Sequence, residues 1–589
     1  MIIININIII MNKIIKYSEI LFHNIEEKYE ETIFSGFPND ILHEDGYNFG
    51  IFKIKLSNKD ISKKQPISIL FNVDCSGSME EFATNNITKM RQVIFTLCKI
   101  LEKLAEINNK HQIPIFVSVI AFDNSIHNIL DFTEITSNNV ELLKDNIKKM
   151  TPLDSTNIEL SLNEAIRILS NYYETNPTHR IYHIQLTDGN PTSGETNCDI
   201  LSKIINTNYS NIFIGFGLDH NSTLLCSLSN NIRSEYRFIE NIELAGLVYG
   251  EIIHDIIYNV IDIGRIVVKN GLIYDWKENS WTSEIHISNM SANCEKTFQI
   301  KAKDIYEIEI ETYGIINDKK EETLIETEYF YPPTFDIEEE DLYIPSVDLT
   351  PYAFRLKTQE LLYRANNIKY DDVNDEYIET ISEFKKDVKE FLKFMMEYMK
   401  KYNKINDKFM KLLCDDIYVI YRKIGKSDSN MWINSRQSSQ GRQQTYSVIP
   451  NRVDEIQNVQ PPRLKRNRRL FNPALTQRLD TPFQYLDDNI TLDNYINENN
   501  NSNETVIESF NKTVSSFAKF PDIPYTQEYN NILYTNLDSL ILDINDEVND
   551  IDNYEFSNNI DSPYVTNEIT QMMNDIHNIS NINDDTTSL

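Results

Sequence analysis

The chain has 589 residues, enough for two or three domains at roughly 150 residues each. Its formal net charge of −33 opposes a general nucleic-acid or anionic-membrane surface. The six cysteines (Cys75, Cys98, Cys198, Cys226, Cys294, Cys414) are scattered with no Cys-x-x-Cys pair, which is poor disulfide or zinc architecture and suits a reducing, intracellular setting. Residues 1–45 form an N-terminal segment. Its first ten residues are apolar but too short to span a bilayer, and Asn5 and Asn7 interrupt them. Without a basic start or a small-residue cleavage site they do not read as a signal peptide.

In residues 46–65, Phe52, Ile54 and Leu56 alternate with Lys53 and Lys55, the period of a half-buried strand. From 66 to 264, apolar strands alternate with helical patterns. The run 67–73 is a buried strand ending in Asp74, Ser76 and Ser78, and 87–104 has apolar residues at helical spacing. A strand at 114–122 is followed by an antiparallel edge partner at 125–132. Helices at 140–150 and 158–173 flank Asp154-Ser155-Thr156-Asn157. A second apolar strand, 181–187, ends in Asp188-Gly189; strands at 212–217 and 236–239 and a helix at 244–263 close the unit. This order predicts an α/β fold with a doubly wound, mostly parallel sheet and helices on both faces.

Residues 265–335 read as a small antiparallel sandwich. Tyr306, Ile308 and Ile310 alternate with Glu307, Glu309 and Glu311, and 283–287, 297–300 and 323–330 behave similarly. The early strand at 47–56 is expected to complete this sandwich, making the α/β unit an insertion. Tyr331-Pro332-Pro333 opens an acidic linker. A helical segment at 350–425 comprises helices at 351–366, 375–402 and 407–424, with Gly425 as a stop. Ile378, Ile381, Phe384, Val388, Phe391, Phe394, Met395 and Tyr398 form the stripe of a packed bundle. Residues 426–589 read as a low-complexity, mostly disordered tail: 435–444 is polar and aperiodic, and a basic run (Arg463, Lys465, Arg466, Arg468, Arg469) precedes an acidic stretch.

Loops at the carboxyl ends of parallel strands are where open α/β sheets bind ligands. A carboxylate and two hydroxyls there, Asp74, Ser76 and Ser78, make a hard, all-oxygen set suited to Mg²⁺ or Mn²⁺ rather than zinc. Together with the later Thr156 and Thr187-Asp188-Gly189, this pattern resembles the von Willebrand factor type A (vWA) domain and its metal-ion-dependent adhesion site. The layout also resembles intracellular vWA proteins of protists and large DNA viruses. The resemblance covers about a third of the chain. It implies Asp74, Ser76, Ser78, Thr156 and Asp188 as metal ligands, the hydroxyls in direct contact and the acids acting through water. It further implies Mg²⁺ (or Mn²⁺) as cofactor and a protein partner that supplies a Glu or Asp. One departure is local: the threonine loop commonly carries Gly-Gly where this chain has Asp154-Ser155, and Glu80 and Glu81 add to the negative field.

Catalytic patterns are missing from the sequence. Asp74-Cys75-Ser76 is not Asp-x-Asp, a phosphatase loop at Cys75 would need an arginine where Glu81 stands, and there is no His-Glu-x-x-His helix or phosphate loop. His183 reads as a core residue, and His220, beside Asp219, as solvated loop chemistry. The expectation is a non-enzymatic, cytoplasmic protein-binding scaffold, with nuclear entry possible through the basic run. An adaptor of a ubiquitin-type modification system and a metal-dependent hydrolase are the alternatives.

Overall fold

The computed structural model describes residues 14–24, 37–44, 46–57, 65–82, 87–153, 155–217, 220–239, 245–316, 321–330, 346–368, 375–426, 428–444 and 562–577. The basic run at 463–469, the linker that opens at 331 and the first ten residues lie outside these.

Two antiparallel strands open the chain, β1 (Ile15–Phe22) and β2 (Asn48–Leu56), with the short helix α1 (Asn39–Leu42) between them. The α/β unit follows: β3 (Ile67–Asp74), a 3₁₀ turn at Gly77–Glu80, α2 (Lys89–His111), β4 (Ile115–Phe122), β5 (Ile126–Glu134), α3 (Val140–Ile147), α4 (Ile158–Thr175) and β6 (Arg180–Thr187). It continues through α5 (Cys198–Ser202), β7 (Ser210–Phe216), α6 (Ser222–Ser229), β8 (Ser234–Ile239) and α7 (Ala245–Ile257). Its six-stranded sheet runs β5-β4-β3-β6-β7-β8, parallel except for the edge strand β5. Every residue of β3 is buried, because helices cover both faces. Side-chain caps start the helices: Thr88 accepts from Arg91 N, Asn157 from Leu160 N and Asn221 from Leu224 N.

The remaining strands are β9 (Asn259–Lys269), β10 (Gly271–Asp275), β11 (Ser280–Thr282), β12 (Glu284–Ile287), β13 (Met290–Ser291), β14 (Glu295–Ala302), β15 (Glu309–Ile316) and β16 (Thr323–Tyr329). They make two antiparallel sheets, β1-β2-β14-β10-β11 and β12-β9-β15-β16. β2 pairs with β14 from Lys55 opposite Glu295 to Asn48 opposite Ala302, so the α/β unit lies between two sandwich strands in sequence. Phe52, Ile54 and Ile300 of one sheet share a core with Ile261, Ile266 and Ile310 of the other.

Helices α8 (Thr350–Asn366), α9 (Asp375–Lys401), α10 (Lys408–Lys423) and α11 (Ser429–Arg442) then form a layer against the α/β unit. Finally α12 (Asn567–His577) packs Met572 and Ile576 into the core that contains α2 and α7. Among the described residues no helix is long and apolar enough to cross a membrane.

Besides α12, which falls in the stretch read as mostly disordered, the structure departs from expectation in five places. The N-terminal segment contributes a sandwich strand, β1. The helix expected to reach residue 263 ends at Ile257, and β9 begins two residues later; a nearly continuous apolar run hides that change of period. β15 starts at Glu309, leaving Tyr306 exposed in the preceding turn. His220 is buried, not solvated: its Nδ1 contacts Gly217 O at 2.7 Å and its Nε2 lies 2.7 Å from Tyr236 Oη. A Cβ on Gly215 would sit 2.2 Å from that ring, so the glycine makes the histidine's seat.

The fifth is α11, in the stretch read as aperiodic and disordered. It is buried through hydrogen bonds rather than through an apolar stripe. Trp432 inserts fully and donates Nε1–H to Asp428 at 2.8 Å. Gln440 Nε2 donates to Asp416 at 2.6 Å, Asn434 to Ser222, Ser438 to Tyr236 O and Arg442 to Ser234 O at 2.9 Å. Gln443, just past its end, both accepts from Thr297 N and donates to Thr297 O. The backbone at Gly441 lies against Trp276, whose ring a Cβ would meet at 2.1 Å. Truncating Trp432 to Ala is expected to cost about 3–5 kcal/mol, seen as a lowered thermal midpoint; an unchanged midpoint would contradict the packing of α11.

A buried polar row crosses the central sheet. His183 Nδ1 lies 3.1 Å from Asn211 Oδ1, and its Nε2 faces Asn72 Nδ2. Burial lowers His183 and His220 from 6.5 to about 4, against the raising pull of the Asn211 and Gly217 contacts. The unfolded chain, with ordinary histidines, therefore binds more protons between pH 6.5 and about 4, so stability contributed by these residues is lost as pH falls through that window, on the order of 3 kcal/mol each. Thermal melts from pH 7 to 4.5 should show this acid loss, and His220→Gln should flatten it relative to the parent.

Candidate functional site

The site forms where β3 and β6 end side by side. Asp74 closes β3, and the chain turns sharply through Gly77–Glu80. Ser76 N donates to Asp74 Oδ1 at 2.8 Å, and Thr187 Oγ1 donates to Asp74 Oδ2 at 2.6 Å, so both carboxylate oxygens are held. Ser76 Oγ and Ser78 Oγ are 3.1 Å apart, and Ser78 Oγ donates to Asp188 Oδ1 at 2.7 Å.

Thr156 arrives on the loop before α4. The turn 192–193 fixes it: Thr156 N donates to Thr192 Oγ1, and Thr192 N donates to Thr156 O. Neighbouring backbone bonds, Leu153 N to Cys75 O and Asn157 N to Asp123 O, tie that loop to the ends of β3 and β4. Thr156 Oγ1 and Ser78 Oγ lie 3.7 and 3.8 Å from where a Cβ on Gly189 would stand, ordinary contact distance, so both hydroxyls border that residue. Asp74, Ser76, Ser78, Thr156 and Asp188 are thus assembled from three separate loops. Asp154 lies outside the described residues.

Sequence reasoning missed Lys89. The first residue of α2 turns its ammonium onto Asp188 Oδ2 at 2.8 Å and onto Glu81 Oε2 at 2.9 Å. Burial works to lower the Lys89 pKa, but Asp188 and Glu81 outweigh it and hold it above its ordinary value. The residue follows a helix cap by one position, where lysine is unremarkable, so nothing in the local pattern signals the contact. Thr187 and Thr192 escaped for a similar reason. Their hydroxyls orient site residues rather than stand in the motif.

The electrostatics are those of a dry pocket. Burial raises Asp74 to about 6, partly opposed by the Ser76 and Thr187 hydrogen bonds. Burial, with the charges of Asp123 and Asp74, pushes the Cys75 thiol to about 12, which makes it a poor nucleophile. Among the described residues no group of three or more His, Cys, Asp or Glu side chains is arranged to hold a metal ion. A cation here would therefore need the hydroxyls. Hydroxyl and carboxylate oxygens are ligands of small hard divalent ions, and Ser76, Ser78 and Thr156 could take one, with Asp74 and Asp188 behind them.

Known proteins resemble parts of this chain. Structures similar to this one include a von Willebrand factor type A protein from Catenulispora acidiphila, at 12% identity over 62% of this chain and 85% of that one with a TM-score of 0.42. The ArnB paralogue VWA2 from Sulfolobus acidocaldarius is also similar, at 12% identity over 72% of this chain and 98% of that one with a TM-score of 0.40. No curated protein matches the sequence. The family model of the von Willebrand factor type A domain matches residues 68–245, the stretch that runs from β3 to the start of α7. Residues 68–245 of this chain are a von Willebrand factor type A domain.

Proposed function

We propose that the chain is a non-enzymatic scaffold that binds a protein partner through a Mg²⁺ ion (or Mn²⁺) held at the end of β3 and β6. The observation that carries this reading is the meeting of Ser76, Ser78 and Thr156 with Asp74 and Asp188 at one strand edge. When bound, the ion supplies an electrophilic position that a Glu or Asp of the partner fills. Ser76, Ser78 and Thr156 are the residues that would hold it. Asp74 is pinned at both oxygens and acts by orienting the Ser76 backbone and by its charge.

Lys89 sets the charge of the site. Its ammonium offsets one carboxylate, which leaves an ion there less neutralised and more receptive to an outside acid. Glu81 shares the same ammonium at the rim, its side chain largely exposed. Among the described residues Cys75 is held as a thiol and His183 and His220 are locked in the core, which supports binding rather than turnover. The compartment proposed is the cytoplasm, in keeping with six free cysteines.

Calorimetric titration of Mg²⁺ and Mn²⁺ into the full chain should give saturable binding that Ser76→Ala and Asp188→Ala abolish. Failure of the folded parent to bind either ion overturns the proposal. Replacing Lys89 by Met removes a cation from beside Asp188. The metal-free protein should then lose about 3–5 kcal/mol of stability, because a buried carboxylate is left unpaired. Mg²⁺ should bind about tenfold more tightly as it takes over that role, and a Lys89→Met variant with unchanged affinity would remove Lys89 from the mechanism.

A further inference from the structure

A cavity of about 170 Å³ lies at the opposite end of the same sheet, between the amino ends of β7 and β8 and the sandwich. It is separated from Asp188 by the length of β6 from Tyr182, roughly 20 Å at the rise of a strand. Three cations, Arg233, Lys277 and Arg442, line it together with three acids, Glu235, Asp262 and Asp275.

These cations are poorly satisfied. Arg442 is buried, with Nη2 donating to Ser229 O and Ser234 O, but its Nε has no hydrogen-bond partner among the described residues. The Nε of Arg233 and the buried Ser234 hydroxyl are unpartnered likewise. The Lys277 ammonium makes no ion pair at salt-bridge distance among the described residues; it lies 5.9 Å from the Trp276 ring centre, with the charges of Asp275 and Glu278 nearby. Burial and the neighbouring Arg442 lower Lys277 to about 8 against the raising pull of Asp275 and Glu278, and burial lowers Arg442 against that of Glu235. The acids of the lining have partners of their own, although Asp275 also acts on Lys277 and Glu235 on Arg442. Glu235 holds Arg237 and Gln444, Asp262 accepts from Asn259, and Asp275 accepts from the Lys277 backbone. Arg233 also stands at φ 61°, a left-handed conformation that a long side chain adopts at a cost.

We infer that this cavity is a binding site for a small phosphoryl compound, an inorganic phosphate, pyrophosphate or small phosphate ester. Donors reach it from β8, from the turn after β10 and from the end of α11. A tetrahedral oxyanion has acceptors for donors arriving from several directions, whereas a planar carboxylate presents two oxygens in one plane. The volume admits such a molecule and excludes a folded peptide or a nucleic-acid strand. Because its ligands span the vWA domain, the sandwich and the helical layer, an occupant would tie the three together. The site does not depend on the metal reading above.

The test uses the full chain in excess EDTA, which silences the metal face. Thermal melts and calorimetry are run with inorganic phosphate and with pyrophosphate, against NaCl at matched ionic strength and against succinate. Phosphate or pyrophosphate should raise the midpoint where NaCl and succinate do not, and Lys277→Gln should weaken the binding by about tenfold or more. No binding of either phosphate probe, an equal response to succinate, or full affinity in Lys277→Gln would each overturn the assignment. Should Lys277→Gln melt abnormally without ligand, Arg233→Gln serves in its place under the same criteria.

Discussion

The burial of a polar helix holds this architecture together. α11 carries serine, glutamine, asparagine and arginine where a core helix would carry leucine, and such groups are tolerated inside only when their hydrogen bonds are met. Here most of them are met, by partners from every layer, while Arg442 Nε has none among the described residues. Asp416 of α10 receives Gln440 and Arg436, Thr297 of β14 exchanges two bonds with Gln443, and Ser234 and Tyr236 of β8 receive Arg442 and Ser438. Arg355 of α8 closes the set, donating to Thr297 O and to Gln440 O. Apolar packing is tolerant of small rotations, whereas hydrogen bonds are not. The relative placement of vWA domain, sandwich and helices is thereby fixed by direction as well as by contact.

That rigidity bears on both ends of the parallel sheet. At the carboxyl end, three loops must bring hydroxyls to within a few ångströms of one another, and they do so because backbone bonds lock each loop to its neighbours. Lys89 adds a fixed positive charge to a site otherwise dominated by acids, which tempers its field without removing any of its oxygen donors. At the amino end three cations and three acids line a cavity, and the same polar helix supplies one of the cations.

The alternation of strand and helix between residues 66 and 264, and the motif residues at the ends of two apolar strands, were readable because a parallel sheet buried on both faces leaves long apolar runs cut by turns. Asp74, Ser76, Ser78 and Asp188 stand in fixed positions relative to such strands, so their convergence follows once the strands are neighbours. Thr156 was readable through its place before a helix. Lys89 was not, because its partner is 99 residues away and a lysine at a helix start is ordinary on local grounds. The boundary at Ile257 was hidden by an apolar run that satisfies a helix and a strand equally.

The sequence by itself thus determined the α/β order, the vWA motif and the apolar faces of the bundle, since each is written as a periodic pattern or a fixed local spacing. Only the tertiary structure decided the burial of α11, the seat of His220 under Gly215, the Lys89–Asp188 pair and the cavity at the amino end of the sheet. The physical reason is common to all four. Hydrogen bonds and ion pairs between residues far apart in the chain leave no periodicity along it, and their partners become visible only when the chain is folded.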